Sequence, residues 1–372
     1  MGALALTVWL VGLATLLAQP FAALDHRHPR VREVMAVQDL VTPDLMQIED
    51  ILGTATSVNE QGEVAITIFV HDQGRHRAAL LQALPRQIRG VPVVLEVTDK
   101  FRALAVGGKL AKPSPAPSVD HKAKQTPPIL LGTSGGWGYD LANGYCCGGT
   151  LGSLIKIGET KYILSNYHVL ESDIVPGGNQ LIVNGTLVPY PRTAETGDPI
   201  IQPGLIDVGC NAANAQVVAT LVKRSSLPNS NVDAAIAEVM PGMVADSGAI
   251  LEIGTISSQT RAAALRLAVK KSGRTTGLTR STISGLNATV SVTYENECAG
   301  GTAFTKTFTG QILISNRRSK FLAAGDSGSL LVEDVSSNPR AVGLLFAGSS
   351  TLAVANPIGE VLGYFGATMV GN

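Results

Sequence analysis

The spacing of apolar positions changes character along the chain. Between Pro29 and Leu52 they recur at helical intervals, with Val31, Val34, Val37, Leu40 and Val41 on one face. Thr42-Pro43-Asp44 marks a restart, because Thr caps a helix and Pro fits its first turn, and Gly53 is expected to end it. Thr54–Val58 and Val64–Val70, joined by Asn59-Glu60-Gln61-Gly62, predict a β-hairpin. A helix from about Arg75 to Gln87 and a strand from Val91 to Val97 complete an α-β-β-α-β unit, a small α/β sandwich spanning residues 29–104. Residues 112–128, KPSPAPSVDHKAKQTPP, have no apolar period and read as an extended linker.

From Ile129 onward the period shortens to that of strands. Thr150–Ile157, Tyr162–Ser165, Gln216–Leu221, Ala234–Val239, Ala288–Tyr294, Gln311–Ser315, Ser329–Glu333 and Ala341–Phe346 are short β-type runs between Gly, Asn, Asp and Pro clusters. That pattern predicts a mainly β domain over residues 129–368, built as antiparallel barrels at about 145–250 and 260–365. No fixed short repeat is visible, which argues against a propeller or a solenoid. At the other end, Met1–Leu24 carries no charged side chain, and Ala3–Leu17 has the size of a signal-peptide core. Export to the periplasm or the exterior is the expectation. The alternative is an uncleaved membrane anchor, since 24 uncharged residues exceed the roughly 20 that span a bilayer.

Composition narrows the function. Of 372 residues 45% are apolar, which excludes a disordered chain, and 29 Lys+Arg balance 29 Asp+Glu. With no basic excess the chain lacks the charge that holds a phosphate backbone, so no nucleic-acid partner is expected. Four cysteines, Cys146, Cys147, Cys210 and Cys298, form no C-x-x-C unit and suggest no metal. Adjacent cysteines rarely bridge each other, so either one of Cys146 and Cys147 reaches Cys210 or Cys298, or all four are free thiols.

The strongest local signal is Ala324-Gly325-Asp326-Ser327-Gly328-Ser329 before the apolar Leu330-Leu331-Val332. A serine between glycines at a strand entry presents its hydroxyl on a tight turn, where the Gly325 and Ser327 N–H groups can converge on an oxyanion. A serine needs a base, most often histidine. Of six histidines only His168, in Ser165-Asn166-Tyr167-His168-Val169 at the end of an apolar strand, follows the linker. The acid that orients it is expected to be Asp233, at the threshold of Ala234–Val239, with Asp207 the alternative. No histidine follows Ser327, so the order Ser, acid, His of an α/β-hydrolase cannot be completed. The order His168, Asp233, Ser327 is that of the chymotrypsin-like double barrel.

The blocks around His168, Val232-Asp233-Ala234-Ala235-Ile236 and Gly325-Asp326-Ser327-Gly328 resemble those of trypsin-like serine peptidases. Lys271-Ser272-Gly273-Arg274-Thr275-Thr276-Gly277, Gly343–Ser350 and Ala355-Asn356-Pro357-Ile358 are similar to segments of the bacterial relatives of the plant narrow-leaf proteases, as is the block ending Gly90–Thr98. The resemblance implies a serine endopeptidase acting on protein or peptide through an acyl-enzyme on Ser327, without metal or cofactor. It places the specificity pocket at Phe321, Leu322, Ala324, Phe346, Ala347 and Gly348, none of them acidic, which predicts a small or apolar P1 residue. Ser329 stands where trypsin has a second glycine, and no Ile-Val-Gly-Gly start is present, so activation by a new N-terminus pairing with Asp326 is not expected. Lys271–Gly277 reads as a strand-entry turn. Two alternatives remain: a catalytically silent binding or regulatory protein on the same fold, and an esterase. The 29–104 unit is expected to fold separately and modulate the peptidase, with His71 and His76 as exposed loop residues.

Overall fold

The computed structural model describes residues 23–103, 106–108, 119–142, 145–171, 179–183, 186–190, 193–295, 303–316 and 321–372. The leader read at 1–24 falls almost wholly outside them. Among the described residues no helix is long and apolar enough to cross a membrane.

Helix α1 (Pro29–Leu45) starts on its proline, runs through Pro43 and stops short of the expected Leu52. Gly53 is not its terminator. It lies inside β1 (Ile51–Val58), where a Cβ would sit 2.3 Å from the Thr289 carbonyl oxygen, so glycine here permits a close approach between strands. Strand β2 (Val64–His71) pairs antiparallel with β1. Helix α2 (Arg77–Ala83) is shorter than its apolar pattern suggested, because Pro85 forces the preceding Leu84 into extended backbone (ψ 134°). Strand β3 (Val91–Thr98) then lies parallel to β2. Val31, Val34 and Leu45 pack α1 onto this sheet. Two short strands follow, β4 (Phe101–Ala103) and β5 (Val106–Gly108).

The first barrel contains β6 (Thr133–Trp137), β7 (Tyr145–Leu151), β8 (Ser153–Ile157), β9 (Thr160–Ser165), the single-turn α3 (Tyr167–Leu170), β10 (Pro199–Gln202), β11 (Gln216–Val222) and β12 (Ala235–Val239). Strand order is β7-β6-β10-β11-β12-β9-β8, and the run from β7 through Gly152 into β8 closes the ring. Trp137, Leu151, Ile163, Ile200, Val218 and Ile236 fill its interior.

The second barrel is built from β13 (Ala268–Lys271), β14 (Thr279–Tyr294), β15 (Phe304–Ser315), β16 (Leu330–Glu333), β17 (Ala341–Gly348) and β18 (Leu352–Pro357). Its order is β13-β16-β17-β18-β15-β14, and β14 pairs back with β13 to close it. Helix α4 (Ile358–Phe365) packs against β17 and β18 and buries Ile358, Val361 and Phe365 in a core that residues of both barrels share. This is the chymotrypsin-like double β-barrel, mainly β, with a small α/β unit in front of it.

That unit does not stand apart as expected. β14 is 16 residues long, and the part that runs beyond its pairing with β13 takes β1 as a neighbour, with Gly53 opposite Val290 and Thr56 opposite Leu286. An exposed strand edge is an open row of hydrogen-bonding groups, and β1 covers this one. Buried Gln38 of α1 adds a clasp, donating to the Thr54 hydroxyl and the Asn287 carbonyl and accepting from the Thr56 hydroxyl. The linker reading also needs correction where it is described. His121 is buried between the Glu252 carboxylate (2.6 Å) and the Gly132 carbonyl (2.9 Å), and Gln125 bonds Leu130 and Gln202, so 119–128 is packed onto the barrels by side-chain pairing that composition does not reveal. Residues 112–118 lie outside the described residues. The free-thiol alternative falls as well: Cys146 is bonded to Cys210, and Cys147 is also in a disulfide.

Candidate active site

Strands β9 and β12 are neighbours in the first barrel, with Ser165 opposite Ala235. The residues just beyond these paired ends therefore meet. His168 lies on α3, one turn past β9, rather than on the strand end the apolar run predicted; Asp233 lies two residues before β12. His168 Nδ1 is 2.5 Å from Asp233 Oδ2, and both side chains are buried. A carboxylate can only accept, so Nδ1 carries the proton, and in the neutral imidazole Nε2 is the nitrogen with the lone pair. Nε2 is buried and has no partner among the described residues. The Asp233 backbone N–H donates to Asn356 Oδ1 (2.9 Å), and Asn166 Nδ2 donates to the Asp233 carbonyl (2.7 Å), which ties both barrels to the Asp233 backbone.

Besides His168, a group that sequence reading did not find reaches the Asp233 carboxylate. The Tyr294 hydroxyl, at the end of β14, donates to Asp233 Oδ2 at 2.8 Å. Its ring stacks on Phe304 (4.6 Å) and meets the His168 ring edge-on (6.0 Å). Burial, and then the Asp233 charge, push the phenol pKa well above its ordinary value, so Tyr294 is a permanent neutral donor. In sequence it is one more aromatic on an alternating strand, which is ordinarily core. Asp207, the alternative acid, is elsewhere: Arg274 grips it with two 2.6 Å bonds, and the Ser134 hydroxyl adds a third.

Ser327 sits on a turn flanked by Gly325 (φ +94°) and Gly328 (φ +91°). At Gly328 a Cβ would lie 2.2 Å from the Thr150 carbonyl oxygen, so only glycine lets the turn press against the first barrel. Thr150 holds it from that side, its N–H on the Ser327 carbonyl (2.8 Å) and its hydroxyl on the Gly325 carbonyl (2.9 Å). The Ser329 hydroxyl bonds back to the Asp326 carbonyl. From below, the buried Asp326 carboxylate accepts from the N–H groups of Thr275, Thr276 and Ala323, from the Thr276 hydroxyl, and from Lys271 Nζ at 3.1 Å. Lys271 is itself fully buried; burial lowers its pKa and Asp326 pulls the other way. The Lys271–Gly277 stretch thus supplies an internal cation and three donors to the nucleophile turn. The Gly325 and Ser327 N–H groups have no hydrogen-bond acceptor among the described residues. The Ser327 hydroxyl donates to the Phe346 carbonyl at 3.1 Å.

The residues read as pocket walls divide. Phe321 and Leu322 are buried in the second-barrel core. Phe346 packs against Phe308 at 4.9 Å, Ala324 is half-buried, and Ala347 and Gly348 pair through their backbones with β4.

No protein-family model and no curated protein matches the chain. Solved structures do. A glutamic-acid-specific serine protease that uses a histidine triad in substrate binding is 19% identical, with 65% of this chain matched to all of that one at a TM-score of 0.40. Thermobifida fusca protease A is 20% identical over 66% of this chain and 99% of its own (TM-score 0.40), and Cellulomonas bogoriensis chymotrypsin 19% identical over 66% and 99% (TM-score 0.37). The fold of this chain rests on its own strand order, two closed antiparallel barrels. Its chemistry has to be argued from its own residues.

Proposed function

We propose that the chain is a serine endopeptidase. Ser327 Oγ attacks the scissile carbonyl, His168 Nε2 takes its proton and later hands it to the leaving amine, and Asp233 holds the imidazole in the required tautomer. The N–H groups of Gly325 and Ser327 receive the developing oxyanion. What carries this reading is the buried His168–Asp233 pair with its unpartnered Nε2, at the seam where Asn356 and Tyr294 of the second barrel meet the first. Attack requires the Ser327 hydroxyl to leave the Phe346 carbonyl for Nε2, a side-chain rotation. No metal or cofactor takes part in these steps. The finer resemblance to bacterial relatives of the narrow-leaf proteases, a place outside the cytoplasm and a small or apolar P1 preference belong to the same proposal.

One observation favours the silent binding protein: the hydroxyl rests on Phe346 and not on His168. A fluorophosphonate probe separates the two readings, because only an activated serine is phosphonylated. The expected result is labelling of Ser327 that disappears in Ser327→Ala and falls by at least about a thousandfold in His168→Ala. A folded Ser327→Ala protein that still cleaves peptides at the wild-type rate would sink the assignment.

A further inference from the structure

Asp233 precedes β12 and takes no part in its strand ladder, so its backbone polar groups are met by side chains instead. Asn166 of the first barrel donates to its carbonyl, and its N–H donates to Asn356 Oδ1 of β18 at 2.9 Å. Asn356 is held in turn. Its Nδ2 donates to Gln311 Oε1 of β15 at 2.7 Å, and Gln311 Nε2 donates to the Thr309 carbonyl at 2.6 Å. β15 and β18 are paired strands, with Ile312 opposite Ala355, so Gln311 and Asn356 lie side by side, and both are buried. At the exposed end Asn231 Nδ2 donates to the same Thr309 carbonyl at 2.8 Å, and its Oδ1 accepts from the Thr309 N–H at 2.9 Å. The loop that leads into β12 is thereby closed into a ring with β15 and β18.

The row of amides has one possible direction. An amide side chain offers a donor nitrogen and an acceptor oxygen. The Asp233 N–H can only donate, so Asn356 turns its oxygen to it and its nitrogen to Gln311; the Thr309 carbonyl can only accept, so Gln311 turns its nitrogen there. Each orientation fixes the next, and a buried N–H left without an acceptor would bear the full desolvation of that group. The backbone position matters because a side chain as short as aspartate carries any main-chain shift straight to its carboxylate. Asp233 Oδ2 lies 2.5 Å from His168 Nδ1, and a hydrogen bond weakens steeply once distance and angle leave their optimum. Resting on the peptidase reading above, we propose that Asn356, oriented by Gln311, is a positioning residue: it fixes the Asp233 main chain so that the carboxylate meets the His168 imidazole.

Docking of the two barrels then does more than bring Ser327 to His168. The second barrel also sets the acid that orients the base, and it does so in two ways. Tyr294 of β14 touches the carboxylate itself. Asn356 and Gln311 act through the main chain, and among the described residues neither side chain hydrogen-bonds Ser327 or His168. Their loss should therefore disturb the orientation of the imidazole while leaving the cleft in which a substrate or probe binds as it was.

The test compares the full chain with Asn356→Ala, Gln311→Met and, as a control, Ile312→Ala, which thins the second-barrel core next to Gln311 without removing an amide. Two readouts are taken on folded protein. One is the fluorophosphonate reaction, resolved into probe affinity and the rate of phosphonylation at saturation; the other is the downfield proton resonance of the His168 Nδ1–H bonded to Asp233. Asn356→Ala is expected to slow phosphonylation roughly 10- to 100-fold at unchanged probe affinity, the scale of a displacement of about 1 Å, and to move the resonance upfield. Gln311→Met should do the same in smaller measure, and it carries the test if Asn356→Ala does not fold. Ile312→Ala should lower the unfolding midpoint and leave rate and resonance alone. Asn356 and Gln311 variants that keep the wild-type rate and resonance, whatever their stability, overturn the positioning role, as does a loss of probe affinity with the rate preserved. A wild type that never takes the probe sinks the peptidase reading alone, and the resonance then decides the role of Asn356.

Discussion

Replacing Lys271 by Met tests whether the buried cation under the nucleophile turn organises the site. Lys271 Nζ and the Asp326 carboxylate are 3.1 Å apart and both fully buried. At an effective dielectric constant of about 20 a unit pair at that distance attracts by roughly 5 kcal/mol, and removing one partner of a buried pair costs about 3–5 kcal/mol because the other charge is stranded. Asp326 keeps its bonds from Thr275, Thr276 and Ala323, so Lys271→Met should cost near the lower figure, about 3 kcal/mol. Asp326→Asn strands Lys271 with only the Thr276 hydroxyl and the Gly277 carbonyl, and should cost about 4 kcal/mol. The double variant removes both charges, so its loss should fall short of the sum by about 2–3 kcal/mol. Denaturant unfolding of these variants measures the cycle, with an unchanged m-value as the check on compactness. In the wild-type background Lys271→Met should slow Ser327 labelling roughly tenfold, the equivalent of about 1.4 kcal/mol of lost turn rigidity. Additivity within about 0.5 kcal/mol would refute the coupling.

Tyr294→Phe deletes one hydrogen bond to the Asp233 carboxylate, an interaction worth about 1.5–3 kcal/mol, so kcat should fall roughly 10- to 100-fold with KM unchanged. A rise in KM with kcat preserved would mean that the ring only packs. At Glu333 burial opposes the charge, but hydrogen bonds from Arg340 and Arg261 outweigh it and hold the carboxyl at about 2 instead of 4.5. A depressed carboxyl pKa contributes stability above the unfolded value and loses it as pH falls from about 4.5 to about 2, here up to roughly 3 kcal/mol. Glu333→Gln should remove that part of the pH dependence in thermal unfolding between pH 4.5 and 2, and an unaltered slope would disprove it.

The nucleophile turn and the order His168, Asp233, Ser327 were legible because glycine, serine and aspartate constrain backbone over a few residues, whatever surrounds them. The strand runs were legible for a related reason: burial of one face imposes a period of two on the residues themselves. Gly53 shows the limit of local reading, since a helix stop and a close strand approach ask for the same residue and only the Thr289 carbonyl distinguishes them.

Asp233 was favoured over Asp207 by its place before a strand, but the decision rests on Arg274 occupying Asp207, 67 positions away in sequence. Tyr294 on Asp233, Lys271 under Asp326 and β4 beside Ser327 depend on pairings across 61, 55 and more than 220 residues. Sequence alone marked the side chains to which the proposal assigns the chemistry. The tertiary structure decided which of them are held in water-excluded contact, because partners distant in the chain leave no period or spacing in it, and an electrostatic or backbone pairing acquires its strength only when folding removes the water between them.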